Sequence, residues 1–303
     1  MLKITKNIFF GRNNPFGIIH EPQASNILKY ISGNQDAINI SPNILLPGFV
    51  GITVEILDHT SALKFGLPMV FDVSDGHAKD ISASRKLGQL LLNEAEVTLS
   101  NESETFNSCG QMLRNVSYDS SEKARRDSQE THFKSDMTHG STVQYATYNS
   151  AWWNDPAHLR GNNCYAYACN VRTDGNTQSS WPHPGFCQKS KIPGSNEELL
   201  EGVRNDRIIR LKEGMSPVNG SNENPAWIVG LAAGFPNDAE AWDYHWYRKV
   251  WHGNNSDSYY WGHKPGASLV ANTNDAEKDA KKRGYDSWLG YFAIQNVKIC
   301  ASL

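Results

Sequence analysis

Asn162-Asn-Cys-Tyr-Ala-Tyr-Ala-Cys-Asn170 decides how this chain is read. Two asparagines ahead of a run of helix-compatible residues predict a helix start. An Asn side chain there accepts a hydrogen bond from a backbone N–H that the first turn leaves without a partner. Cys164 then falls in the first turn, where the positive end of the helix dipole favours a thiolate. The thiolate is the nucleophilic form, so a cysteine enzyme keeps its reactive sulfur at such a position. Cys169, further along the same turns, reads as a packing residue.

Downstream, Ala226-Trp-Ile-Val-Gly-Leu-Ala-Ala233 is a continuous apolar run, the pattern of a buried central strand. Asp243-Tyr-His-Trp-Tyr-Arg-Lys-Val-Trp251 alternates, and so does Tyr259-Tyr-Trp-Gly-His-Lys264. The turn-rich stretch His252-Gly-Asn-Asn-Ser-Asp257 joins them, which predicts an antiparallel hairpin. Strand period puts Asp243, His245, Tyr247 and Lys249 on one face, and Tyr259, Trp261 and His263 on one face of the next strand. Pairing can bring His245 and His263 together. The resulting relay has Cys164 as nucleophile, His245 as its base, and His263 holding the ring of His245 through its other nitrogen.

The supporting groups are less determined. Asn272, Asn274 and Asp275 compete with His263 for the orienting role. The backbone N–H of Cys164 supplies one oxyanion donor, and Asn154, His158 and Asn163 are all available for a second. Trp152 and Trp153 are placed to wall a substrate groove. Trp246 and Trp261 either join that groove or pack a core. A zinc site is the competing use of the same residues: Cys164-x4-Cys169 with His183-x3-Cys187 offers four soft ligands, although the spacing differs from a common zinc ribbon. The expectation is no metal and no cofactor.

Asn162-Asn-Cys-Tyr-Ala-Tyr-Ala168, Asp243-Tyr-His-Trp-Tyr-Arg248 and Trp261-Gly-His-Lys-Pro-Gly266 carry a family resemblance. A cysteine at a helix start, a histidine on a later strand and a polar residue on the next strand is the order of papain-like cysteine hydrolases. With histidine as the third residue, the second half of the chain looks most like the NlpC/P60 group. Asn-Cys-Tyr stands here where that group usually has Asp-Cys-Ser. The three motifs also look like signatures of a bacterial family. The resemblance implies an α+β papain-like catalytic unit with an antiparallel sheet and a nucleophile helix.

The rest of the chain frames that unit. All nine tryptophans lie between Trp152 and Trp288, which separates two units with different cores. Residues 1–98 read as a small α+β unit, with strands at Gly51–Asp58 and Met69–Val73, a Pro-Gly turn at the end of Asn43–Gly48, and a helix from Asp80 to about Val97. Residues 99–141 are polar and read as a linker, mobile segment or solvated helix; residues 142–303 form the papain-like domain, with a helix over Glu197–Asn205.

A net charge of −3, from 29 basic and 32 acidic residues, leaves no footprint for nucleic acid. No apolar run is long enough to span a membrane, and the N-terminal apolar patch is too broken by charge for a secretory signal. Five cysteines, an odd number, do not suggest a disulfide framework and point to a reducing compartment. The expected activity is amide hydrolysis or acyl transfer on a protein, peptide or peptidoglycan substrate. Peptidase, amidase, deamidase and transglutaminase-like outcomes share the same residues. The expected setting is the cytoplasm, or secretion without a signal peptide as a bacterial effector or toxin. The alternative is a zinc-stabilised or catalytically inert papain-like binding domain.

Overall fold

The structure, a computed structural model, describes residues 1–7, 11, 14–40, 51–75, 77–95, 115–119, 133–138, 141–173, 181–189, 191–212, 219–236, 242–251 and 258–302. It is an α+β protein with antiparallel sheets, divided into two compact units: Met1–Ile8 with Asn14–Met112, and Phe9–Asn13 with Leu113–Leu303. The Pro-Gly turn near residue 48 and the hairpin turn over 252–257 lie outside the described residues. No helix among the described residues is long and apolar enough to cross a membrane.

The first unit pairs β1 (Leu2–Lys6), β2 (Phe16–Ile19), β3 (Ile52–Ile56) and β4 (Val70–Val73) in the order β2-β1-β3-β4. Leu2, Ile4, Val54 and Phe71 bury one face against α1 (Gln23–Ser32) and α3 (Ile81–Ala95), through Leu28, Ile31, Leu87 and Leu91. Asp80 accepts the Ala83 N–H at 2.9 Å, as its position before α3 predicts. Asp58 caps α2 (His59–Phe65) by accepting from the Thr60 and Ser61 N–H groups, and Gly66 ends that helix in the left-handed region at φ 63°.

The second unit is built on a sheet of β8 (Ile209–Arg210), β9 (Ala226–Gly234), β10 (Asp243–Trp251), β11 (Tyr259–His263), β12 (Ala271–Thr273) and β13 (Ser287–Gln295). The strand order is β12-β11-β10-β9-β13-β8, so the apolar β9 lies inside the sheet, buried along its whole length. Val229, Leu231, Trp246, Phe292 and Ile294 form one core with residues of α5 (Cys164–Ala168) and α7 (Asn196–Asn205). Burying a side chain the size of Trp246 contributes on the order of 2–3 kcal/mol. The remaining helices are α4 (Ser150–Trp153), α6 (Phe186–Lys189) and α8 (Ala276–Lys282).

The polar stretch 99–141 is not only linker. It holds β5 (Asn115–Asp119), which pairs with β14 (Lys298–Ser302), and β6 (Phe133–Thr138), which pairs with β7 (Ser141–Ala146). Each strand alternates for only five or six residues inside a charged context, so composition hides the period. A disulfide joins Cys187 to Cys300, linking α6 to β14, although the odd cysteine count does not suggest a disulfide framework.

Gly202 lies inside α7 where a Cβ would meet the Pro184 carbonyl oxygen at 2.4 Å and its carbon at 2.6 Å. Alanine favours a helix by about 1 kcal/mol over glycine, but here the atoms in the way are backbone. We predict that Gly202→Ala destabilises the protein by about 1–3 kcal/mol, the range of overpacking, read as a lower urea midpoint. A higher midpoint would contradict this account of the contact.

Candidate functional site

The helix that opens at Cys164 starts where the sequence predicts. Asn163 caps α5, its Oδ1 accepting the Ala166 N–H at 3.0 Å. Its Nδ2 donates to Gly11 O at 3.1 Å and Pro182 O at 2.9 Å. Both amide hydrogens are therefore engaged, and Asn163 is a structural pin rather than an oxyanion donor. Gly11 is held further by the Asp243 carboxylate, which accepts its N–H at 3.1 Å; a Cβ at Gly11 would lie 2.2 Å from Tyr244 O. That contact requires glycine.

The sulfur of Cys164 lies 3.9 Å from Tyr244 O, and the backbone N–H of Trp246 also faces it. These two groups flank His245 in β10. The geometry exists because β11 pairs with β10 only from Arg248 (opposite Gly262) to Trp251 (opposite Tyr259). The earlier half of β10 meets α5 instead. His245 and His263 share a sheet face on adjacent strands, as period-2 alternation predicts, and His245 Nε2 lies 2.8 Å from His263 Nδ1. Tyr285 stacks on His245 at 6.0 Å between centroids, its hydroxyl donating to Asp243 at 2.9 Å.

Cys164, His245 and His263 have no solvent exposure. Burial, and then the Asp243 carboxylate, push the Cys164 thiol well up; the Trp246 N–H and Lys264 act the other way and are outweighed. These shifts work against the thiolate expected from the helix dipole, because α5 has five residues and a small dipole against a full desolvation cost. Burial holds His245 well below the usual imidazole range, reinforced by His263 and Arg283. His263 is pushed down to about 3 by burial and then by Arg283, with Asp279 opposing. All three shifts favour the uncharged forms, a thiol and neutral imidazoles.

Three charged residues around this pair are absent from the sequence-based candidates. Arg283 Nη2 lies 3.4 Å and Asp279 Oδ2 3.8 Å from His263 Nε2. Asp279 accepts from Arg283 Nε at 2.6 Å and from the Tyr247 hydroxyl at 2.9 Å. Lys264 is buried, and its Nζ donates to Leu159 O at 2.7 Å and Gly266 O at 2.6 Å, tying the end of β11 to the segment entering α5. The i,i+4 spacing of Asp279 and Arg283 was a readable signal for their pairing; nothing local marked Gly11 or Tyr285.

The other candidates lie elsewhere or serve the fold. Asn272 is exposed on β12 and Asn274 is exposed beyond it; Asp275 caps α8 by accepting the Lys278 N–H at 3.0 Å. The His158 ring faces the Asp155 carboxylate at 3.8 Å, and Asn154 accepts the Val270 N–H at 2.9 Å. Trp153 and Trp246 are buried and pack against Tyr167 and Phe292, which removes them from any groove wall. Trp152 and Trp261 are half-buried, over Arg172 and against Tyr291. The zinc set does not assemble: Cys187 is bonded to Cys300, and His183 Nδ1 lies 2.7 Å from the Tyr244 hydroxyl.

No protein family matches the chain. No solved structure does either. Insoluble matrix shell protein 1 of Ruditapes philippinarum is 26% identical over 149 residues, covering 47% of this chain and 85% of that protein.

Beneath α5, the buried Asp206 accepts from the Tyr165 hydroxyl and the Gly185 N–H, both at 2.6 Å. Burial raises its carboxyl from 3.8 to about 6. The folded state therefore keeps a proton that the unfolded chain releases near 3.8, and the stability this group contributes is complete below that value. It is lost as pH rises through about 6, by roughly 2–3 kcal/mol at about 1.4 kcal/mol per pK unit. We predict that Asp206→Asn lessens the fall in urea midpoint between about pH 4.5 and about pH 7.5; an unchanged fall would contradict the assignment.

Proposed function

We propose that the second unit is a papain-like cysteine hydrolase or acyl transferase acting through a thioester on Cys164. The observation that carries this reading is the 2.8 Å contact between His245 and His263, with the Cys164 sulfur against the strand backbone on either side of His245. His245 takes the thiol proton as the sulfur attacks an amide carbonyl. The carbon–sulfur bond forms, the carbon–nitrogen bond breaks, and the same proton leaves with the amine. Water then releases an acid, as in a peptidase, amidase or deamidase; an incoming amine gives a cross-link. His263 fixes the tautomer and plane of His245.

The substrate class is an amide of a protein, a peptide or peptidoglycan. The Cys187–Cys300 disulfide favours an oxidising compartment over the reducing one expected from the cysteine count. This fits a secreted effector, toxin or wall-acting enzyme. A second reading, an inert binding domain on the same scaffold, is favoured by the complete burial of the three relay residues and by the likeness to a shell matrix protein.

Alkylation separates the two. Cys169 is an internal reference, a free thiol that is equally buried. With iodoacetamide and peptide-level mass analysis, an enzyme is expected to show Cys164 reacting faster than Cys169. His245→Ala should lower the Cys164 rate by about 10²-fold, the lower end of a general-base contribution. Equal reactivity of the two thiols, unchanged in His245→Ala, would establish the inert domain instead.

A further inference from the structure

We propose that Asp279 is a positioning residue that completes a Cys164–His245–His263–Asp279 proton relay, with Arg283 as its antagonist at the same ring nitrogen. The inference rests on the reading of Cys164 and His245 as nucleophile and base, and it follows from counting hydrogens.

The contact between His245 Nε2 and His263 Nδ1 holds a single hydrogen when both rings are neutral. For His245 to accept the thiol proton at Nδ1, that nitrogen must be bare. Its hydrogen is then on Nε2, donated to His263 Nδ1. His263 must in turn carry its own hydrogen on Nε2, which needs an acceptor. Asp279 Oδ2 is a carboxylate oxygen 3.8 Å away, an ion-pair separation that has to shorten before it accepts that hydrogen. The Arg283 guanidinium, 3.4 Å from the same nitrogen, can only donate. If Arg283 takes the position, the hydrogen of His263 moves to Nδ1 and that of His245 to its own Nδ1. The base is then blocked. Two groups of opposite charge thus select between two tautomers of both histidines.

Charge favours Asp279 at the moment of reaction. When the Cys164 proton moves to His245 Nδ1, the S–H bond breaks, an N–H bond forms, and the histidine pair gains one positive charge. Asp279 attracts that charge and Arg283 repels it. Arg283 also has its Nε committed to Asp279 at 2.6 Å, and Tyr247 holds the same carboxylate from β10. Contacts of this kind are often long in the resting state and shorten during catalysis.

The direct test is the tautomer. Long-range ¹H–¹⁵N correlation spectra of the histidine rings distinguish protonated from bare nitrogens. In the wild-type protein, His245 and His263 are expected to carry hydrogen on Nε2; hydrogen on both Nδ1 atoms overturns the proposal without needing any variant to fold. In Asp279→Ala, both hydrogens are expected to move to Nδ1, with Cys164 alkylation slowed by up to about 10²-fold, the loss expected when the base itself is removed. Adding Arg283→Met should recover part of that loss, which a purely structural role for Asp279 would not produce. If His245→Ala slows alkylation while Asp279→Ala leaves tautomer and rate unchanged, the role of Asp279 fails and the nucleophile reading survives. If neither variant changes the rate, the nucleophile reading itself fails.

Discussion

Three residues of open strand edge govern the second unit. β10 is paired with β9 from Asp243 to Arg248, but β11 joins its other side only from Arg248 onward. Buried backbone groups need polar neighbours, and along Tyr244 to Trp246 the chain sets the start of α5 against them. The same offset fixes the histidines. Gly262 lies opposite Arg248, so His263 falls beside Tyr247 and reaches His245 diagonally, a spacing that ring side chains can bridge. A one-residue slip would turn His263 to the other face and leave His245 without its partner.

Burial then decides the chemistry. A thiolate and imidazolium side by side would be favourable in a wet cleft, but here each charge would lose its water. Burial therefore favours the neutral forms, and in the proposed reaction a proton moves as the sulfur attacks. The Gly11 backbone, seated on Asn163, Asp243 and Tyr244, is among the atoms that fill the space around it. If Cys164 acts as proposed, some of this covering has to move aside for a substrate to reach the sulfur. The charged residues beyond the histidines are not ornaments of a salt-bridged surface: Asp279 and Arg283 pull the His263 proton affinity in opposite directions from within contact distance.

Period and capping carried the sequence reading furthest. The apolar run of β9, the alternation of β10 and β11 and the Asn163 cap are local patterns, and each became the expected element. The meeting of His245 and His263 was legible because alternation fixes faces regardless of loop length. What escaped depends on contacts distant in sequence. Gly11 reaches Asp243 across 232 residues, and Cys187 finds Cys300 across 113. Trp246 was readable as a groove wall or, more simply, as core, and the packing of α5 on that face places it in the core. The short strands β5 and β6 were obscured by the polar residues between their apolar ones. The helix dipole was overrated because sequence gives helix position more readily than depth of burial.

The Cys187–Cys300 bond closes a covalent ring that runs from α6 through α7 and all the strands β8 to β14. Both histidines lie inside that ring, and Cys164 lies before it. A single cut of the backbone anywhere between the two cysteines opens the ring without releasing a piece. The histidine hairpin would stay tethered to α5, and the two fragments would part only on reduction. A protein nicked in this way outside a cell would keep its parts in stoichiometric company.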